Sequence, residues 1–257
     1  MSKAWSSPVV VGAALLALVL AVGGAWAWVF AEQGTAPAGV TAAAPPSSSS
    51  STSSPTKAEP TWTIDQARDA LAGDGSRVLV LGDSTGNGND EWVSLWAQSA
   101  QLPLARWDTA TEAGYANEAE DTRLWSGAMN SGTADYPLDH DEIWPEQDPD
   151  LVLLSYGHFH DSTSGATDAL EDLRVELADR YPEAPVVVVL QNPEADDADA
   201  DRRAAITDWA KDAGLPTIDV AAAFEDAADP SVLLVDEINP SPEGSQLWAE
   251  TVAEALG

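Results

Sequence analysis

The chain contains no cysteine among its 257 residues. That excludes disulfides, thiolate zinc sites, a cysteine nucleophile and lipid attachment through an N-terminal cysteine. Basic residues are scarce: 11 Lys and Arg stand against 43 Asp and Glu, a net charge of −32. A surface of that sign repels phosphate backbones, so nucleic acid is not an expected partner; the acidity reads as solubilising. Only three histidines are present, His140, His158 and His160, so any imidazole chemistry must come from them. With three lysines beside abundant Ala, Asp and Arg, the composition suggests a GC-rich bacterial genome.

What is present divides the chain in four. Residues 8–31 carry no charge until Glu32 and are rich in Ala, Val and Leu. They are long enough for a helix to cross a hydrocarbon core about 30 Å thick. Trp26, Trp28 and Phe30 suit a membrane interface, and Lys3 predicts that residues 1–7 stay in the cytoplasm with the rest outside. Ala25-Trp26-Ala27 could also serve as a small-x-small cleavage site, in which case the remainder is secreted. Residues 32–61 are dominated by Ala, Pro, Ser and Thr, including the run Ser47–Ser51. They cannot bury a core, which predicts a disordered linker. Residues 62–257 carry 41 of the acidic and 9 of the basic residues and form the folded domain.

Within that domain, short apolar runs alternate with amphipathic stretches. Runs at 77–81, 150–155, 185–191 and 216–220 predict buried strands, and 231–235 is a fifth apolar run. Helical spacing appears near 89–101 and 200–213. Ala166, Leu170, Leu173, Leu177 and Tyr181 form an amphipathic stripe. Ser241-Pro242 predicts the start of a terminal helix whose inner stripe is Trp248, Val252 and Leu256. Continuous apolar strands separated by helices predict a three-layer α/β domain around a parallel sheet. Ligands then sit at the carboxyl ends of the strands. The residues there are Asp83-Ser84, Gly157–Asp161, Asn192 and Asp236–Asn239.

Ser84 leaves the first strand in Gly82-Asp83-Ser84-Thr85-Gly86-Asn87-Gly88. A serine on such a turn can present its hydroxyl to a crevice beside backbone N–H groups able to hold an oxyanion. Four later segments extend the pattern: Ser126–Thr133 with Gly127 and Gly132, Gly157-His158-Phe159-His160, Asn192-Pro193, and Asp236-Glu237-Ile238-Asn239-Pro240 followed by Gly244. In order, spacing and strand context these resemble the blocks of the SGNH/GDSL hydrolases along the whole domain. The resemblance implies a flavodoxin-like three-layer fold and ester hydrolysis without a cofactor or metal. It makes Ser84 the nucleophile and Asp236 the residue that orients a base. Ser84 and Gly132 become oxyanion-hole donors, with Gly127 the alternative to Gly132. The expected substrates are acyl or acetyl esters of small molecules, lipid or cell-envelope glycan.

Two positions depart from the family pattern. Phe159 stands where the family has an Asn donor, and Asn239 stands where it has the His that takes the serine proton. An amide accepts no proton near neutral pH, and an unaided serine is a poor nucleophile. His160, oriented by Asp161 or Asp83, is the candidate substitute base; His158, Phe159 and Asn239 are expected to line the cleft, with Trp125 and Trp144. The other outcome is a non-catalytic binding or structural domain. A third reading takes Ser84–Gly88 as a flavodoxin-like phosphate loop for flavin. His158, His160 and Asp161 fall short of a metal ligand set, and Asp196–Asp201 reads as the acidic opening of a helix.

Overall fold

The computed structural model describes residues 61–257; the expected membrane segment, tail and linker lie outside the described residues. Among the described residues no helix is long and apolar enough to cross a membrane.

The chain runs α1 (Ile64–Leu71), β1 (Val78–Gly82), α2 (Trp92–Ser99), β2 (Leu104–Trp107), β3 (Tyr115–Ala116), β4 (Leu124–Ser126), β5 (Leu151–Ser155), α3 (Thr163–Arg180), β6 (Val186–Leu190), α4 (Ala200–Asp212), β7 (Thr217–Asp219), α5 (Val220–Glu225) and α6 (Pro242–Leu256). One seven-stranded sheet results, in the order β3-β2-β4-β1-β5-β6-β7. Every neighbouring pair is parallel except β2–β3. The sequence-based expectation of a three-layer α/β domain is met.

The apolar strands have no polar face because both faces are covered. Side chains alternate across the sheet. Leu79, Leu81, Val152, Leu154 and Val188 therefore pack with α3 and α4, while Val78, Val80, Leu151, Leu153 and Val187 pack with α1, α2, α5 and α6. The stripe Ala166, Leu170, Leu173, Leu177 and Tyr181 is buried as its spacing predicts. On the other face Trp92 of α2 stacks on Trp248 of α6, centroids 5.4 Å apart and planes 1° from parallel. Ser241 caps α6 by accepting from the Gly244 N–H at 3.1 Å, with Pro242 at the first helical position.

Two sequence expectations are corrected, and the 231–235 run acquires a form. Trp125 is wholly buried, donating its indole N–H to Glu118, and Trp144 packs against Tyr181 with the Arg180 guanidinium 4.7 Å from its ring. Both belong to the core rather than to a cleft wall. The 231–235 run is not a strand. Pro230 opens a 3-10 turn there, and a single bridge joins Leu234 to Pro240, leaving Val232 and Val235 exposed.

Candidate active site

The carboxyl ends of β1, β5 and β6 are tied together by one side chain. Gln191, buried just after β6, donates from Nε2 to Asp83 Oδ2 at 2.8 Å and to the Ser155 carbonyl at 3.2 Å. Its Oε1 accepts from the His158 backbone N–H at 3.0 Å. Asp83 Oδ1 in turn accepts from the Thr85 N–H at 3.0 Å and hydroxyl at 2.8 Å. A buried carboxylate would be costly without these donors. With them it fixes the turn that carries Ser84.

Across the crevice, Asp236 builds its own turn: Oδ1 accepts from the N–H groups of Ile238 at 2.9 Å and Asn239 at 2.7 Å. Asn192 clamps that turn to β6 by donating to the Ile238 carbonyl at 3.0 Å. Oδ2 of Asp236 accepts from Asn239 Nδ2 at 2.9 Å. The side-chain bond from Asn239, then the two backbone donors, hold the Asp236 carboxyl below the usual carboxylate range.

The orientation of Asn239 follows from chemistry. A carboxylate only accepts, so the amide must turn Nδ2 toward Asp236 and Oδ1 away from it. Oδ1 accepts from Ser84 Oγ at 3.2 Å. Ser84, Asn239 and Asp236 thus form a continuous chain with the layout of a serine triad, and an amide occupies its centre. Half-buried Ser84 is held by an acceptor that hydrogen-bonds its proton but cannot remove it.

The two nearby histidines are otherwise engaged. His160 Nε2 accepts from the Ala134 N–H at 3.2 Å, which requires that nitrogen to be unprotonated. Burial pushes its pKa below the usual value, with Asp135 opposing that shift. The structure therefore brings His160 to the segment after β4 rather than to a bond with Ser84. His158 is buried with Nδ1 3.3 Å from Glu194 Oε1 and 3.9 Å from Asp199 Oδ2, and its Nε2 has no partner among the described residues. These three side chains could gather round a cation. However, Arg202 already bonds Glu194 and Arg203 bonds Asp199, so their charges are matched internally. Phe159, half-buried between the two histidines, offers no donor. Asp161 is exposed.

Of the two glycines, Gly132 lies at the mouth of the site. A Cβ added there would fall 3.0 Å from the Gly82 carbonyl, two residues before Ser84, and Asn87 Nδ2 bonds Asn130 Oδ1 at 2.9 Å alongside. Gly127 lies deeper, where a Cβ would come 2.7 Å from Leu81 Cδ2 in the core. The Gly132 N–H donates to the Met129 carbonyl at 3.2 Å. In the Ser84–Gly88 loop, the Thr85 N–H bonds Asp83 and the Gly88 N–H bonds Glu91. Carboxylates of the chain itself thus occupy N–H groups that a phosphate would need.

Sequence reading singled out Asn192 but overlooked Gln191 beside it as a site residue. The available signal was its position, an amide directly after the Val186–Leu190 strand.

No family model matches the sequence, and no curated protein matches it. Solved structures do match. A lipolytic protein of the G-D-S-L family from Veillonella parvula is similar over 70% of this chain and 97% of its own, at 15% identity and TM-score 0.52. A GDSL-like lipase from Parabacteroides merdae, described as putative, matches over 72% and 96%, at 14% identity and TM-score 0.56. An acetylxylan esterase from Geobacillus stearothermophilus, in a catalytic mutant form, matches over 72% and 95%, at 17% identity and TM-score 0.54. The domain has the fold of the SGNH/GDSL hydrolases.

Proposed function

We propose that this domain is an SGNH-type ester hydrolase, with Ser84 as nucleophile, acting on acyl or acetyl esters of lipid or cell-envelope glycan. The observation that supports it is the chain Ser84–Asn239–Asp236 at the mouth of the parallel sheet, with Gly132 beside the Ser84 turn. On the same reading, residues 8–31 anchor the chain, the linker gives the domain reach, and the domain works outside the membrane.

The chemistry is set by what Asn239 can do. Ser84 Oγ loses its proton and attacks the ester carbonyl. The carbonyl re-forms as the C–O bond to the alcohol breaks and the alcohol leaves, and water later cleaves the acyl-enzyme to release the acid and restore Ser84. Asn239 orients the hydroxyl but takes no proton, so deprotonation falls to solvent hydroxide. The rate then rises with pH without the plateau that a histidine base gives near its own pKa. Phe159 contributes no oxyanion donor, which lowers the rate further.

The same Ser84–Asn239 bond also favours a second reading, in which the site binds an ester or glycan without cleaving it. One experiment separates the two. The full chain and its Ser84→Ala variant are incubated with p-nitrophenyl acetate and with a fluorophosphonate probe between about pH 6 and pH 10. Slow labelling that climbs with pH and vanishes in Ser84→Ala is the result expected of an enzyme. No labelling at any pH, with a folded protein, overturns the enzyme reading and favours the binding module.

A further inference from the structure

A cavity of about 640 Å³ opens between the turn after β6, the end of α5 and the 230–236 segment. That volume lies in the range of small-molecule pockets, about 300–1,000 Å³. Ser84 is not among its lining residues; Asp236 is the one member of the serine chain that borders it. Its bed is apolar, made by Pro193, Phe224, Leu234 and Val235. Of the lining residues, Val235 is 65% exposed, one of three exposed large hydrophobic residues among those described. A single exposed valine is ordinary on a protein surface, but Val235 continues the apolar bed of this cavity out to solvent.

The rim decides the ligand's charge. Five of the twelve lining residues are carboxylates, against 43 of 257 in the chain. Arg202 bonds Glu194, and Arg203 bonds Asp197 and reaches Glu225 at 3.6 Å. Asp196 and Asp236 have no cationic partner among the described residues, so the rim stays negative. An anionic ligand would be repelled, and a neutral one would leave the rim unused. An ammonium group carried on a compact apolar body satisfies both the bed and the rim.

We propose that this cavity binds an organic cation of that kind, such as a quaternary ammonium or aromatic amine. The site is distinct from the serine crevice and goes beyond the ester-hydrolase reading. Neither depends on the other, since the test uses binding and requires no turnover.

The full chain is titrated by calorimetry with benzyltrimethylammonium, benzyl alcohol and benzylsulfonate, and the methyl resonances of Leu234 and Val235 are followed by NMR. The cation is expected to bind tightest, to shift both residues' methyl signals, and to weaken as salt screens the rim. Asp196→Asn with Glu225→Gln should lower its affinity about three- to tenfold, two exposed charge contacts being lost. Both residues are exposed, and Asn tolerates the positive φ of 57° at position 196, so the double variant should fold. A melting temperature matching the parent confirms it. Equal binding of all three compounds, no binding, shifts that bypass Leu234 and Val235, or an unchanged affinity in the folded double variant would each overturn the proposal.

Discussion

Replacing the central amide by an imidazole is the sharpest probe of the Ser84 chain. In Asn239→His the turn itself should survive, because Asp236 Oδ1 builds it through backbone N–H groups that do not depend on the side chain at 239. Asp236 Oδ2, freed from Asn239 Nδ2, becomes available to one ring N–H, and the backbone N–H groups of Ile238 and Asn239 that remain on Oδ1 still favour the ionised carboxylate. The other ring nitrogen then faces Ser84, whose present acceptor lies 3.2 Å away. A positioned general base contributes roughly 10²–10⁴ in rate. At 1.36 kcal/mol per decade that is about 3–5 kcal/mol of transition-state stabilisation. The assay is kcat/KM for p-nitrophenyl acetate against pH, in the parent, in Asn239→His and in Asn239→His with Ser84→Ala. A gain of that size should follow a sigmoid with a midpoint near the ordinary histidine pKa of about 6.5. Adding Phe159→Asn should raise it by up to a further ~10², the lower value for one oxyanion donor. A folded Asn239→His protein with no gain, or a gain that survives Ser84→Ala, would refute the assignment of the chain as a triad lacking only its base.

Two further outcomes are expected. Unfolding monitored against pH should show stability falling below about pH 6.5, because the unfolded chain protonates His160 while burial lowers its folded-state pKa. His160→Gln, whose amide oxygen can still accept from the Ala134 N–H, should flatten that limb; an unchanged slope would show that other groups set it. Gln191→Leu removes the donor to Asp83 Oδ2 and the acceptor for the His158 N–H. Each buried orphan costs about 1–3 kcal/mol, so urea denaturation should register a loss of about 2–5 kcal/mol, and any Ser84 labelling should fall with it. A loss below about 1 kcal/mol would mean that Gln191 does not clamp the three strands.

Much of the fold could be read from the sequence because the central strands are unbroken apolar runs and α3 and α6 carry full stripes. The half of the sheet formed by β2, β3 and β4 could not. Leu124–Ser126 has three residues and Leu104–Trp107 contains Arg106, too short and too mixed for a periodic signal. At the site, strand context located Ser84, and the resemblance of the later segments to the family's blocks located Gly132, Asp236 and Asn239. The bonds between them were not legible. Nothing in the sequence specifies that Asn239 turns its oxygen to Ser84, or that His160 is committed to Ala134. Those depend on partners 155 and 26 residues away. The Trp125 and Trp144 assignments failed because an aromatic residue in a stretch without periodic signal looks the same in sequence whether it faces a crevice or a core.

The loop after β1 reaches its shape with its own carboxylates seated on it, Asp83 at the Thr85 N–H and Glu91 at the Gly88 N–H. Those side chains serve as permanent internal guests. The entropy of ordering the loop is therefore lost once, during folding, rather than at each encounter with a visitor. Whatever approaches Ser84 meets a wall already set, so its arrival should be governed by diffusion, with no wait for the loop to close.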